Sequence, residues 1–149
     1  MYQHLLFPTD GTDSSLAVES HVIQLAQQFQ ARVTLVHAYE TLDMIPVYET
    51  RYVYLDELDT YLKEQSQNWM KTCLQRFQDA GLEANQHVIK GDPGLAIVQL
   101  AQKEAADLIV MGSQQKGVVR RFLLGSVSNY VVHHSACPVL IVPVHLDEI

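Results

Sequence analysis

Cysteine is scarce in this chain. There are two in 149 residues, Cys73 and Cys137, and they share no CxxC spacing. That excludes a disulfide framework and a zinc site as organising principles and fits a reducing, cytoplasmic setting. Basic residues are also few: ten Lys and Arg against 17 Asp and Glu, a net charge of −7 with neutral histidines. A general nucleic-acid binder needs a basic face, so DNA and RNA are not expected partners. Long apolar runs are missing as well. Leu108–Met111 and Val139–Val142 are among the longest, far short of the roughly 20 residues that span a bilayer. Met1-Tyr2-Gln3-His4 has neither a basic flank nor an apolar stretch, so no signal peptide is expected. What remains is about 48% hydrophobic residues. That suits one soluble domain over 1–149 that buries roughly 70% of its unfolded surface.

The hydrophobic pattern alternates strand and helix. His4–Pro8 is a short apolar run ending in the turn Thr9-Asp10-Gly11. Val18, Val22, Leu25 and Phe29 then repeat at helical spacing, with Glu19, Gln24, Gln27 and Gln28 assigned to the outer face. Val33–Val36 is a second strand ending near His37-Ala38. Residues 40 to about 54 lack a period and contain Pro46, Tyr48, Tyr52 and Tyr54, so a variable surface loop is expected over 40–55. The tyrosines could line a ligand surface or merely pack the loop. From Leu55 to Ala80 the pattern is helical, with Leu58, Leu62, Trp69, Cys73 and Phe77 on one face and Gly81 as the stop. Glu83–Ile89 is a weaker strand. Asp92-Pro93 caps a helix whose inner face is Ile97, Leu100 and Ala101. Asp107–Met111 is a strand apolar on both faces. A last helix begins near Ser126, Val139–Val142 is the final strand, and 144–149 is a tail. Strands apolar on both faces and separated by helices imply an α/β fold with a parallel sheet covered on two sides.

In an open α/β sheet, ligands sit beyond the carboxyl ends of the strands, where strand order reverses. Three polar strand ends are available: Thr9-Asp10-Gly11, His37-Ala38 and Gly112 onward. Gly112, Gly117, Gly125 and Ser126 frame a loop carrying Lys116, Arg120 and Arg121, three of only ten basic residues. Loop N–H groups and a helix start can hold an anion there, with the Ser126 hydroxyl capping the helix. An ordinary solvated loop is the competing reading. Asp10 can accept from ribose hydroxyls or hold a metal, or it can simply cap a turn. Val118-Val119 stand where a P-loop needs Lys and Ser or Thr, and no G-x-G-x-x-G or G-x-S-x-G occurs. His133 and His134 are adjacent on a helix and point about 100° apart, so they are not expected to chelate a metal. Cys137, ahead of an apolar strand, is expected in the core.

Together these pieces resemble the universal stress protein family. The resemblance is carried by Pro8-Thr9-Asp10-Gly11, Val36-His37-Ala38, Gly91-Asp92-Pro93, Asp107–Ser113, Arg121–Ser128 and Cys137–Val142. It covers essentially the whole chain and is weakest between residues 40 and 80. It implies an open parallel five-stranded sheet of order 3-2-1-4-5, helices on both faces, of the adenine nucleotide alpha hydrolase-like type. It also implies a homodimer through Val139–Val142 and a cytoplasmic role in stress response. Members that bind ATP carry G-2x-G-9x-G-[ST]. Here Gly112, Gly125 and Ser126 keep the pattern, and Gln115 replaces the second glycine. By resemblance, adenine would lie near Ala38, Pro8 and Thr9, with Met111 at the strand end opposite. Ribose would lie by Asp10, and the phosphates by Gly112, Ser113, Gln115, Gly117, Gly125, Ser126 and Val127. The expected ligand is ATP, AMP or ADP, with or without magnesium, bound without efficient turnover. Alternatives from other classes are a dimeric interaction protein that takes no nucleotide and a slow ATP hydrolase.

Overall fold

The computed structural model describes residues 1–40, 49–113 and 124–144. Nine elements alternate along the chain. They are β1 (His4–Pro8), α1 (Asp13–Phe29), β2 (Arg32–Tyr39), α2 (Glu49–Asp79), β3 (Ala84–Lys90), α3 (Pro93–Lys103), β4 (Leu108–Gly112), α4 (Ser126–His134) and β5 (Val139–Val142). The strands form one five-stranded sheet of order β3-β2-β1-β4-β5, and every pairing is parallel. β1 lies at the centre, beside β2 on one side and β4 on the other.

The pleat sends alternate β1 side chains to opposite faces. Leu5 and Phe7 join Val22 and Ala26 of α1 and Met70 and Phe77 of α2 in one core. Leu6 joins Val36, Ile97, Leu100, Ile109 and Val131 in the other, under α3 and α4. Both faces are therefore sealed, as expected from strands without polar alternation. Asp92 caps α3 as expected, accepting from Leu95 N–H at 3.0 Å with Pro93 in the first turn.

Three expectations are corrected. The segment expected as a loop to residue 54 is helical from Glu49 on, so Tyr52 and Tyr54 stand on α2; Pro46 and Tyr48 lie outside the described residues. Leu58, assigned to the inner face of α2, is 47% exposed, while Met70 is fully buried. Glu19, assigned to the outer face of α1, is buried. Its carboxylate accepts two hydrogen bonds from the Arg76 guanidinium of α2, so an ion pair, not an apolar contact, joins the two helices there. Cys137 is only partly buried and Cys73 is buried; both are free thiols.

Candidate functional site

Strand order reverses between β1 and β4. At the carboxyl ends of the strands flanking that point lies a cavity of about 670 Å³, a size typical of small-molecule sites. Its floor is apolar, with Phe7 and Val18 from one core, Val36, Ile97 and Met111 from the other, and Val144 after β5. Its rim is polar: Asp10, Ser14, Ser15 and His37 on one side, Ser126 and Ser128 on the other.

The fold brings together most of the residues the sequence singles out. Pro8, Thr9, Asp10 and Ala38 line one wall. Met111, Gly112, Gly125, Ser126 and Val127 line the facing wall. Ser113 stands just outside the lining. Its N–H donates to the Val142 carbonyl at 3.2 Å and its hydroxyl accepts from Val144 N–H at 3.2 Å, which continues the β4–β5 ladder and holds Val144 at the cavity. Gln115, Gly117 and the cations Lys116, Arg120 and Arg121 lie outside the described residues.

Asp10 organises its own wall. Its Oδ1 accepts from Thr12 N–H (3.0 Å), Thr12 Oγ1 (2.7 Å) and Ser15 Oγ (2.5 Å). Partial burial pushes the carboxyl pKa up, but the hydrogen bonds from Ser15 and Thr12 outweigh it and hold the group below its usual range. Asp10 is thus an ionised acceptor, with Oδ2 outside these bonds. The next residue, Gly11, has φ +75°, and a Cβ built there would lie 2.9 Å from the Trp69 ring. Only glycine fits this turn, because the face of α2 lies directly beneath it.

The facing wall ends in the start of α4. Ser126 was expected as the capping residue. Gly125 occupies the N-cap instead, with extended backbone (φ −63°, ψ 165°), and Ser126 is the first helical residue. A glycine there lets the backbone approach a ligand closely. The Ser128 hydroxyl donates back to the Gly125 carbonyl at 3.1 Å. The first N–H groups of any helix lack an intrahelical acceptor and carry partial positive charge. Here Ser126, Val127 and Ser128, which bear those groups, all line the cavity.

In the sequence His37 stands at a polar strand end and in the Val36-His37-Ala38 segment, with no side-chain role assigned. Its Nδ1–H donates to the Thr9 carbonyl at 3.0 Å. Its ring meets Trp69 edge-on, with centroids 4.8 Å apart and planes at 69°. Burial lowers the imidazole pKa, and the Thr9 carbonyl and the Asp10 charge oppose that only in part. Ser14, Ser15, Val18, Pro93, Ile97 and Val144 also line the cavity without having been singled out. The helical period of α1 could have flagged Ser14 and Ser15, which stand in the turn following Asp10; Val144 carries no sequence signal. Among the described residues no cluster of three or more metal-ligating side chains forms. His133 bonds the Asn129 carbonyl at 2.7 Å, and His134 stacks on Tyr130.

Comparison with known proteins bears on this geometry. The model of the universal stress protein family matches residues 1–143. Universal stress protein MJ0531 of Methanocaldococcus jannaschii is 34% identical over 143 residues, covering 95% of this chain and 82% of that one. The solved structure of MJ0577, from the same organism, superposes with a TM-score of 0.85 at 28% identity and covers 99% of both chains. A universal stress protein solved in complex with cAMP superposes with a TM-score of 0.68 at 28% identity, covering 98% of both.

Proposed function

Because this chain belongs to the universal stress protein family, we propose that it is a nucleotide-binding regulator that holds ATP, ADP or AMP in the cavity between β1 and β4. The observation that carries this reading is the pairing of walls. An ionised carboxylate at Asp10, suited to ribose hydroxyls, faces the helix start at Ser126, suited to phosphate oxygens, across about 670 Å³ of apolar floor. The backbone of Ala38 and the Pro8 turn offer edge contacts to adenine. In the sequence between β4 and α4, Lys116, Arg120 and Arg121 are the cations proposed for a triphosphate, with or without magnesium. The relative solved with cAMP supports the ligand class.

The proposed role is binding rather than catalysis. Among the described residues Asp10 is the one carboxylate lining the cavity, and the hydrogen bonds that lower its pKa make it a weak proton acceptor. The protein acts in the cytoplasm as a homodimer joined through β5. That strand ends the sheet with Leu140 40% exposed, an apolar edge that pairing would cover. A sedimenting mass of one chain at high concentration would sink the dimer.

The nucleotide test is titration calorimetry with ATP and magnesium, alongside nucleotide analysis of the heat-denatured purified protein. Saturable heat or co-purified nucleotide is expected. Neither, at high protein concentration, would leave the second reading, a dimeric interaction protein without nucleotide. That reading draws on Gln115 in place of the motif glycine.

A further inference from the structure

We propose that His37 is a proton-linked positioning residue of this cavity. It takes up a proton when an adenine nucleotide occupies the site, so that affinity rises as pH falls. The inference rests on the nucleotide reading above and adds to it a regulation by pH.

The geometry is a clamp. Thr9 and Asp10 line the cavity and Gly11 follows them, and two side chains hold this turn in place. His37 of β2 holds the Thr9 carbonyl through Nδ1–H at 3.0 Å. Trp69 of α2 lies under Gly11, so close that a Cβ there would meet its ring at 2.9 Å. His37 and Trp69 in turn lie edge to face at 4.8 Å. With Nδ1–H donating to a carbonyl, the neutral ring carries its lone pair on Nε2, where a proton can add without breaking the clamp.

The groups around the ring settle the sign. Asp10 faces it from the β1–α1 turn and favours the imidazolium. α2 contributes Trp69 and β3 contributes Val88, its register partner, and neither carries charge. Burial is the larger influence and keeps the ring mainly neutral near pH 7. A ribose seated against Asp10 displaces water there and strengthens the attraction between carboxylate and imidazolium. The phosphates bring further negative charge to a cavity in which, among the described residues, Asp10 is the ionised lining group. Both effects raise the proton affinity of His37. Linkage is reciprocal, so a proton on His37 tightens the nucleotide by the same factor.

The test is calorimetric titration of ATP with magnesium at about pH 8 and about pH 6, either side of the ordinary imidazole range. It is run on the full-length wild type and on His37→Gln, whose amide can still donate to the Thr9 carbonyl. Ionisation of ATP and its magnesium affinity change with pH equally for both proteins and cancel. Wild-type affinity is expected to gain at least about threefold over the variant between the two pH values. Identical pH profiles would overturn the inference while leaving nucleotide binding intact. Binding by neither protein at either pH would overturn the nucleotide reading and this one with it. Should the variant fold poorly, imidazole NMR on the wild type decides. A His37 titration that moves to higher pH on saturation with ATP supports the proposal, and one that does not move refutes it. Trp69, the single tryptophan, gives a parallel optical signal, because an imidazolium at this distance quenches indole emission.

Discussion

The two ends of one sheet are finished differently. At the amino end, polar groups satisfy one another. Asp107 accepts from the backbone N–H of Gln3 (2.8 Å) and His4 (3.1 Å). The buried His4 ring meets Thr34 Oγ1 through Nε2 at 2.7 Å and the Glu104 carbonyl through Nδ1 at 3.1 Å, and Thr34 donates onward to Asn85 at 2.7 Å, tying β1, β2 and β3 together. Arg32 also faces Nδ1, at 3.4 Å. At the carboxyl end another histidine, His37, secures only a turn. The helix start at Ser126 is left open to a cavity. Both histidines are held neutral, in each case chiefly by burial. The same chemistry thus closes one end of the sheet and leaves a cavity at the other, where the proposed binding takes place.

That contrast can be broken by substitution. Thr34→Val keeps the volume and shape of a fully buried side chain but strips His4 and Asn85 of their shared partner. A buried polar group left unpaired costs about 1–3 kcal/mol. Urea denaturation is expected to show a loss of about 2 kcal/mol, with ATP affinity unchanged at temperatures where the variant is folded. Asp10→Ala makes the reciprocal case. It removes the proposed ribose acceptor and should weaken ATP about tenfold, near 1.4 kcal/mol. Its stability cost should stay within about 1 kcal/mol, because the Thr12 and Ser15 groups it releases can turn to solvent. If Thr34→Val weakened the nucleotide as much as Asp10→Ala did, the two ends would not be separable.

The closed parts of the molecule were easier to read from sequence than the open ones. β1, β4 and β5 are apolar on both faces, and that pattern implies a buried parallel sheet without further information. Asp92-Pro93 states a helix start in two residues. The errors fall where a residue's fate depends on something distant. Glu19 reads as an outward polar position on α1, because nothing near it in sequence announces Arg76, 57 residues away. The beginning of α2 shows no hydrophobic period, and Leu58, at a helical spacing from Leu62, is exposed all the same. In the cavity, glycines and acidic turns were legible because they answer to local backbone geometry. The His37–Trp69 clamp was not. It needs α2 folded back over the β1–α1 turn before either residue acquires a partner. Ser126 shows the same limit on a smaller scale, since a one-residue shift of the helix start moved the cap to Gly125.

The smallest expected effect concerns the open end alone. Gln115 stands at the second glycine position of the G-2x-G-9x-G-[ST] pattern that ATP-binding relatives are expected to keep. If that position requires left-handed backbone, a non-glycine residue costs about 1–2 kcal/mol when the loop closes on phosphate. Glycine would recover that strain but lose about 0.5–1 kcal/mol to greater freedom before binding. The net gain is then about 0–1.5 kcal/mol, with a midpoint of about 0.75, so Gln115→Gly should tighten ATP by about threefold. Urea stability should not change, because none of the hydrogen bonds around His4 and Thr34 involves this residue. Weaker binding in the same calorimetric titration would reverse the reading of this residue. The glutamine amide would then be a donor to phosphate, and the chain would have replaced a glycine's backbone approach with a side-chain contact.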